Sequence, residues 1–380
     1  MTVSIDKFWI EGVLTKVYPN FVKDGGADLD ENGRIEGKEV FKDLDQNGTV
    51  GDRDDYKEYL RQNRPSLSRK IPFFKWGKKL SVDNRIHQGI YWLSDLHSDT
   101  QIASAYAFIA GLVNNVGKRI GRRKLGQKRE TQIYYRTMRG TGILFSDLSL
   151  SDDSLVTNIG EKQFDCDTSS FIAMAIGDER NVVLHPVRSP THVFVRGGEG
   201  KSEFNVDGGK EIPDSKYNVS PDLVAKEVYL KTLSDHQLES LFLENRGLVL
   251  AKLGRFEEAL VAFDRSIEVD QNYADAHYNR GRVLEELFRY EDALLAYKRS
   301  IALDPNLADV HHHCGDVLRV LGRYPEALKA LKQAIEIEPG DPSAHISLYH
   351  ILSDMGQGQE ALKALNRACT LMPFFAECRR

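Results

Sequence analysis

Hydrophobic and polar positions recur with a period of about 34 residues from Leu241 to the end of the chain. Each period holds two segments with apolar residues at helical spacing, so it predicts a pair of helices. Small residues recur where these helices would cross closely, and a proline recurs where the second helix would end. The aligned columns are Gly247, Gly281 and Gly315; Ala259, Ala293, Ala327 and Ala361; and Pro305, Pro339 and Pro373.

The middle of the chain mixes helical and strand patterns. Apolar residues have helical spacing in segments 86–96 and 100–113, and an apolar run at 171–176 predicts a buried helix. Three short strand-like runs follow, separated by turn residues. They are 181–186, 191–196 and 203–206. We therefore expect a mixed α+β domain ahead of the helical repeats.

The recurring pattern resembles the tetratricopeptide repeat family. Four registers in succession over residues 236–380 imply an all-α superhelix. Three positions depart from the family pattern: Tyr349 and Phe288 stand where glycines are expected, and Gln271 replaces a terminal proline. These departures bear on local packing rather than on the expected fold.

The repeat resemblance implies a concave groove that binds a protein or peptide partner. The positions expected to face it are Tyr278, Arg282, Glu285, His312, Asp316 and Arg319. This mixed lining lacks the all-basic character that suits a C-terminal carboxylate. The consecutive histidines 311–313 point about 100° apart on a helix, so they predict no shared metal ion. The apolar end at residues 374–375 predicts docking onto the preceding domain or onto a second copy, which would form a homo-oligomer.

Cys166 is the candidate nucleophile of the middle domain. It precedes the apolar helical run, and the polar residues 167–169 favour a helix start there. The helix dipole lowers the pKa of a thiol at such a position and favours the thiolate. His192 opens the second strand-like run and Asp207 follows the third. A histidine that takes the thiol proton and an aspartate that orients its ring complete the set.

This order of residues resembles the transglutaminase-like superfamily, which has a papain-like fold and a Cys, His, Asp triad. The resemblance implies that Cys166 attacks a carbonyl, His192 transfers the proton and Asp207 orients the histidine. It implies peptidase, amidase or protein transamidase chemistry, with the repeats recruiting the substrate or partner. The alternative is a catalytically inert domain of this type within a tetratricopeptide scaffold or adaptor.

Three further residues are candidates for a role at this site. His185 is a competing base, but it stands mid-strand among apolar residues and is assigned to the core or to a supporting role. The nearest upstream candidates for a second oxyanion donor are Asn158 and Gln163. The Cys166 backbone N–H is expected to supply the first donor.

Residues 1–63 contain two calcium-loop patterns. The first matches the EF-hand loop at every diagnostic position, with Gly33 at its sharp turn. Its expected ligands are Asp28, Asp30, Asn32, Arg34 (through its carbonyl) and Glu39. The expected ligands of the second loop are Asp43, Asp45, Asn47, Thr49 and Asp54. Because residues 40–42 alone separate the loops, the segment resembles an abbreviated, dockerin-like arrangement.

We expect structural Ca²⁺ in these loops, since bound metal would stabilise a segment that is too short to fold alone. Mg²⁺ is the alternative ion in a calcium-poor cytosol. A pair of metal-free Asp/Asn/Gly turns is the alternative structure.

Composition narrows the function classes. The formal net charge of −5 does not favour nucleic acid as a partner. No apolar run reaches the length of about 18 residues that a membrane helix needs, and the N-terminus lacks a secretory signal, so we expect a cytoplasmic protein. The 4 cysteines have no paired or metal-type spacing and predict no disulfide framework. A basic run at 118–129 is interpreted as a solvated face, with an acidic or phosphate-rich partner as the alternative.

The sequence thus predicts a multidomain α+β protein. An EF-hand-like segment occupies 1–63, and a transglutaminase-like α+β domain occupies 64–235. Within that domain, 64–140 is a basic helical part and 141–235 the catalytic core. The tetratricopeptide superhelix follows at 236–380.

Overall fold

Helices account for most of the described chain. The structure is a computed structural model that describes residues 85–93, 96–121, 123, 125–142, 144–145, 155–190 and 192–372. The chain divides into two compact units. The first contains the described residues up to Ser220 together with Tyr229–Lys252, and the second contains Pro221–Val228 together with the described residues from Leu253. The predicted calcium loops and the apolar C-terminal pair lie outside the described residues.

Seven helices are described up to residue 252, and all but the sixth belong to the first unit. They are α1 (Ile86–Leu93), α2 (Asp99–Ile120), α3 (Gln127–Arg139), α4 (Leu155–Glu161), α5 (Cys166–Arg180), α6 (Pro221–Ala225) and α7 (Asp235–Lys252). Ser98 begins α2 through a reciprocal pair of hydrogen bonds with Gln101, which satisfies two N-terminal amides. The helix predicted at 100–113 is longer than expected. It continues to Ile120 and includes Lys118 and Arg119, the first residues of the basic run.

A four-stranded antiparallel sheet carries the residues that the sequence singles out. Its order is β3 (Leu184–Ser189), β4 (His192–Gly197), β5 (Phe204–Asp207) and β6 (Lys210–Ile212). Helix α5 packs on β3 and β4, and its segment Ser170–Ile176 is buried. A separate parallel pair is formed by β1 (Leu144–Phe145) and β2 (Gln163–Phe164).

The three predicted strands exist, but the first is shifted along the chain. It begins at Leu184 rather than at residue 181, because Asn181 ends α5 in a left-handed conformation with φ 55°. The Val182 N–H then bonds back to the Gly177 carbonyl and keeps this segment with the helix. The strand continues through Ser189, which the sequence places in a turn.

The second unit consists of antiparallel helix pairs. Its helices after α6 are α8 (Phe256–Val269), α9 (Ala274–Glu286), α10 (Tyr290–Leu303), α11 (Ala308–Val320), α12 (Tyr324–Ile337), α13 (Pro342–Asp354) and α14 (Gly358–Leu371). Helices pack most extensively as α9 with α10, α11 with α12, and α13 with α14. Two of the predicted crossing-point glycines are confirmed, since a Cβ at Gly281 or Gly315 would collide with Tyr297 or Leu331 of the paired helix. The 34-residue pattern therefore marks the helix pairs correctly.

Two further expectations concern the cysteines and the membrane. Cys166 and Cys314 are free thiols, whereas Cys369 is disulfide-bonded. The prediction of no disulfide framework therefore does not hold at Cys369. No helix in the described part of the chain combines the length and the apolar character needed to span a bilayer.

Gly281→Ala is expected to lower the free energy of unfolding by about 1–3 kcal/mol, because the added Cβ would lie 2.6 Å from Tyr297 Cδ1 and force the ring to move. Chemical denaturation of the full chain, followed by circular dichroism, measures the change. The control is Gly358→Ala, where an added Cβ meets nothing within 4 Å. That substitution should be neutral or stabilising by about 0.5 kcal/mol. Equal effects at both positions would contradict the packing role.

Candidate thiol site and repeat groove

Cys166 is the first residue of α5. Asp165 caps this helix, and its Oδ1 accepts a hydrogen bond from the Thr168 N–H at 2.7 Å. Asn158 fixes the cap, because its Nδ2 donates to Asp165 Oδ2 and to Thr168 Oγ1, both at 2.9 Å. A primary amide has two N–H hydrogens, and both are used here. Asn158 therefore positions the start of α5, and neither of its N–H hydrogens is left to donate to an oxyanion.

His192 and Asp207 meet at one end of the antiparallel sheet. His192 is the first residue of β4, and Asp207 is the last residue of the neighbouring β5. His192 Nε2 lies 2.8 Å from Asp207 Oδ1. Because an ionised carboxylate can only accept, Nε2–H donates, and Nδ1 holds the lone pair of the neutral ring. The structure thus brings these two predicted residues together.

Asp207 has two further hydrogen-bond donors that sequence reasoning missed. Lys216 Nζ and the Tyr217 hydroxyl both donate to Asp207 Oδ2, the latter at 3.0 Å. Burial raises the pKa of Asp207, but the hydrogen bonds from His192 and Lys216 outweigh burial and hold the pKa below its usual range. The carboxylate therefore stays ionised although it is largely buried.

Tyr217 connects this cluster to the core of the sheet. Its ring stacks on Phe194 with centroids 5.1 Å apart and lies 5.7 Å from the His192 ring. Both Lys216 and Tyr217 come from the 3₁₀ turn Asp214–Tyr217, which follows β6. A Lys-Tyr pair in a turn belongs to no motif, so nothing in the local sequence marks these residues.

The surroundings of Cys166 raise the pKa of its thiol well above the ordinary value. Burial is the largest cause, and the charges of Asp167 and Asp165 add to it. The thiol donates to Asp167 Oδ1 at 3.3 Å. A backbone hydrogen bond with Val193, the residue after His192, lowers the pKa without offsetting these effects. The expected lowering by the helix dipole is therefore wrong, and the resting thiol is protonated at neutral pH.

Tyr135 of α3 is another residue that the sequence did not mark. Its side chain is fully buried, and it packs so closely on Gly209 that a Cβ there would lie 2.6 Å from Tyr135 Cβ. Burial raises the pKa of the Tyr135 hydroxyl, with a smaller contribution from the negative charge of Asp207. Tyr135 thus stays neutral and supports the turn between β5 and β6.

The remaining predicted site residues lie elsewhere. His185 is the second residue of β3, opposite Arg196 of β4, and Asp207 bonds to His192 instead. Gln163 lies in β2. All the predicted calcium ligands, within residues 28–54, lie outside the described residues, so the calcium sites stay a prediction.

A groove of about 540 Å³ runs across the second unit. It is lined mainly from α9, α11 and α13, the first helices of three successive pairs. Phe288 of the turn after α9 and Tyr290 at the start of α10 complete the lining. Its lining includes four of the six positions that the repeat pattern predicts: Glu285, His312, Asp316 and Arg319. The other two, Tyr278 and Arg282, lie earlier on α9, where the guanidinium stacks over the tyrosine ring at 5.8 Å.

A polar cluster crosses the floor of this groove. His312 Nε2 lies 2.9 Å from Ser347 Oγ and 3.2 Å from Asp316 Oδ2. Burial lowers the pKa of His312, but the hydrogen bond and charge of Asp316 outweigh burial and raise it. Both contacts use the same ring nitrogen, so the cluster does not have the relay geometry of a Ser, His, Asp triad.

Comparisons with known proteins concern the repeats. No curated protein sequence matches the chain. A crystal structure of MamA is 25% identical and covers 35% of this chain and 77% of its own, with a TM-score of 0.34. A MamA structure from Desulfovibrio magneticus RS-1 is 22% identical over 35% of this chain and 75% of its own, with a TM-score of 0.34. YrrB, described as a TPR protein with an unusual peptide-binding site, is 24% identical. It covers 37% of this chain and 72% of its own, also with a TM-score of 0.34.

Three family models match the chain, and the first two matches overlap. A TPR repeat model matches residues 247–287, and tetratricopeptide repeat models match 274–307 and 318–368. These matches lie beyond the thiol site, so the transglutaminase-like assignment stays a prediction. The C-terminal region of this chain carries tetratricopeptide repeats.

Proposed function

We propose that the chain is an interaction protein whose repeat array binds a segment of a partner protein. The observation that carries this proposal is the groove lined from α9, α11 and α13. Packed helices lie about 8–10 Å apart, so three of them span about 20 Å. An extended peptide rises about 3.3 Å per residue, so the groove accommodates about six residues.

A second function has its own support in the first unit. We propose that Cys166 is the nucleophile of a thiol-dependent acyl transfer of the transglutaminase-like type. The hydrogen bond between His192 and Asp207 favours this function, together with the packing of α5 on β4. The array would then bring a protein substrate to the chain.

The proposed chemistry needs no component beyond the substrate and an acceptor. Asp207 occupies Nε2 of His192, so Nδ1 accepts the Cys166 proton as the sulfur bonds to the carbonyl carbon. The protonated ring then donates this proton to the leaving amine, and a thioester forms. Water or a lysine amine next attacks the thioester, transfers a proton through the same nitrogen, and releases the thiol. Water gives hydrolysis, and the amine gives transamidation.

Because the pKa of Cys166 is raised, His192 would have to remove the thiol proton during the reaction. A protonated thiol is a weak nucleophile, so its proton must leave during the attack rather than before it. His192 would act as a general base toward a bound substrate. If it does not, the domain is inert and the repeats alone carry the function.

The groove can be tested by selecting peptides from a random-sequence library on the full chain. Selected peptides should lose about ten-fold or more in affinity on Ile346→Asp, because a carboxylate would stand at the apolar part of the lining. Leu295→Asp is the control, since Leu295 is exposed on α10 and is not among the groove-lining residues. Fluorescence anisotropy measures both. Failure to select any peptide, or equal effects of the two substitutions, would count against a groove-binding function.

Acyl transfer can be tested with p-nitrophenyl acetate as the acyl donor. The full chain should form a thioester at Cys166, detected by mass spectrometry, and His192→Ala should slow its formation by about 100-fold. His185→Gln provides a matched control in the same sheet and should leave the rate unchanged. If Cys166 stays unacylated, or if both histidine variants behave alike, the domain has no activated nucleophile.

The pH dependence of Cys166 alkylation follows from its raised pKa. Only the thiolate reacts with iodoacetamide, and a raised pKa moves the thiolate population to higher pH. At pH 7.5 the rate should be about ten-fold or more below that of a free cysteine peptide, and it should still rise above pH 9. Site-resolved mass spectrometry distinguishes Cys166 from Cys314. A rate that reaches its plateau below about pH 8.5 would contradict this assignment.

A further inference from the structure

Phe288 occupies a backbone position at which other repeats carry glycine. Its φ is 58°, while the glycines at the corresponding turns, Gly254, Gly322 and Gly356, have φ of 72°, 71° and 74°. Three of these helices end in the same manner: the N–H groups of Phe288, Gly322 and Gly356 bond to the carbonyl three residues earlier at 2.9 Å. Side chains with a Cβ rarely adopt this left-handed conformation, so phenylalanine is strained there.

Packing within the chain does not compensate for this strain. The Phe288 side chain is 78% exposed, and its ring makes an edge contact with Tyr290, centroids 6.2 Å apart. Both residues line the groove. A large apolar side chain that is strained and yet exposed is best explained by a contact with something outside the chain.

The groove has further apolar surface beside Phe288. Val320 is 51% exposed at the end of α11, and Ile346 of α13 is half-buried. Both belong to the same lining as Phe288 and Tyr290. A partner segment can therefore bury an apolar side chain here.

The partner's apolar side chain is one requirement of the groove, and the charges of the lining determine which charge the partner carries beside it. Three carboxylates, Glu285, Glu286 and Asp316, stand against one guanidinium, that of Arg319. Arg319 is paired with Asp354 at 3.2 Å, so its charge is already compensated. Glu286 ends α9, is exposed, and makes no ion pair among the described residues. Asp316 also faces His312 at 3.2 Å, and with His312 charged the three carboxylates still outnumber the cations of His312 and Arg319. These groups make the lining net acidic.

We propose that this groove selects a protein segment in which lysine or arginine stands next to an apolar residue, with Phe288 contacting the apolar side chain and Glu286 the cation. The proposal rests on the groove-binding function above and adds the chemistry of the partner. An acidic segment, such as a C-terminal carboxylate motif, is excluded by the same carboxylates.

The test compares two sets of synthetic peptides of about ten residues on the full chain. In one set leucine or phenylalanine is flanked by lysine or arginine, and in the other by glutamate or aspartate. Fluorescence anisotropy at physiological salt should show the basic set binding about ten-fold or more tightly. Glu286→Gln should weaken the basic set by about three-fold, and the matched exposed variant Glu336→Gln of α12 should have no effect.

Phe288→Gly separates binding from folding. This substitution relieves the left-handed strain, so the melting temperature should rise, while affinity for the basic set should fall about five-fold or more. Leu295→Ala, at an exposed leucine of α10 that the groove lining does not include, should leave affinity unchanged. A residue with a purely structural role would change the melting temperature alone, and that result would overturn the assignment of Phe288.

The outcomes distinguish this inference from the function on which it rests. Binding that Ile346→Asp abolishes, with equal affinity for both peptide sets, would overturn the basic preference and leave the groove-binding function standing. Tighter binding of the acidic set would also overturn it. If no peptide of either set binds and the random library also yields none, both proposals fail.

Discussion

The partly buried carboxylate of Asp207 is the constraint on which the thiol site depends. Burial alone would favour its protonated form, which could not hold the His192 ring as an ionised acceptor does. Donors from His192, Lys216 and Tyr217 keep it charged. Two of these lie in the turn after β6, and β6 can follow β5 because residues 208–209 turn with φ of 51° and 83°. The orientation of one imidazole thus depends on a turn that follows it in the sequence.

The thiol shows how burial can reverse a rule that holds for exposed residues. A charge at a helix terminus gains about 0.3–1 kcal/mol from the dipole, which is less than one pKa unit. Burial shifts a pKa by as much as about 3–5 units, and carboxylates on both sides of Cys166 act in the same direction. The local sequence contains Asp165 and Asp167, but the depth of the thiol follows from the packing of α5 on the sheet. The position of Cys166 at a helix start therefore predicts the wrong direction for the shift of its pKa.

Much of the architecture could be predicted because it is encoded locally. The repeats have periodic small residues, and the order of Cys166, His192 and Asp207 along a helix and two strands is visible in the sequence. The boundaries of helices and strands were less predictable. Asn181 ends α5 in a left-handed conformation, so β3 begins only at Leu184. Lys216 and Tyr217 could not be found at all. Their role exists only because the sheet brings Asp214–Tyr217 back to Asp207, and a single sequence does not show which turn faces which strand end.

The departures from the repeat pattern have different physical explanations. Tyr349 replaces a glycine, and the structure accounts for it: the ring is partly buried against the cluster of Leu352, Ala361 and Ala364. Phe288 also replaces a glycine, but it adopts a left-handed backbone conformation and leaves its ring in solvent. A substitution that improves packing needs no partner to explain it. One that strains the backbone and leaves the ring 78% exposed gains little from packing within the chain. A partner that buries the ring would offset that strain, and this difference ties the groove beside Phe288 to the proposed binding function.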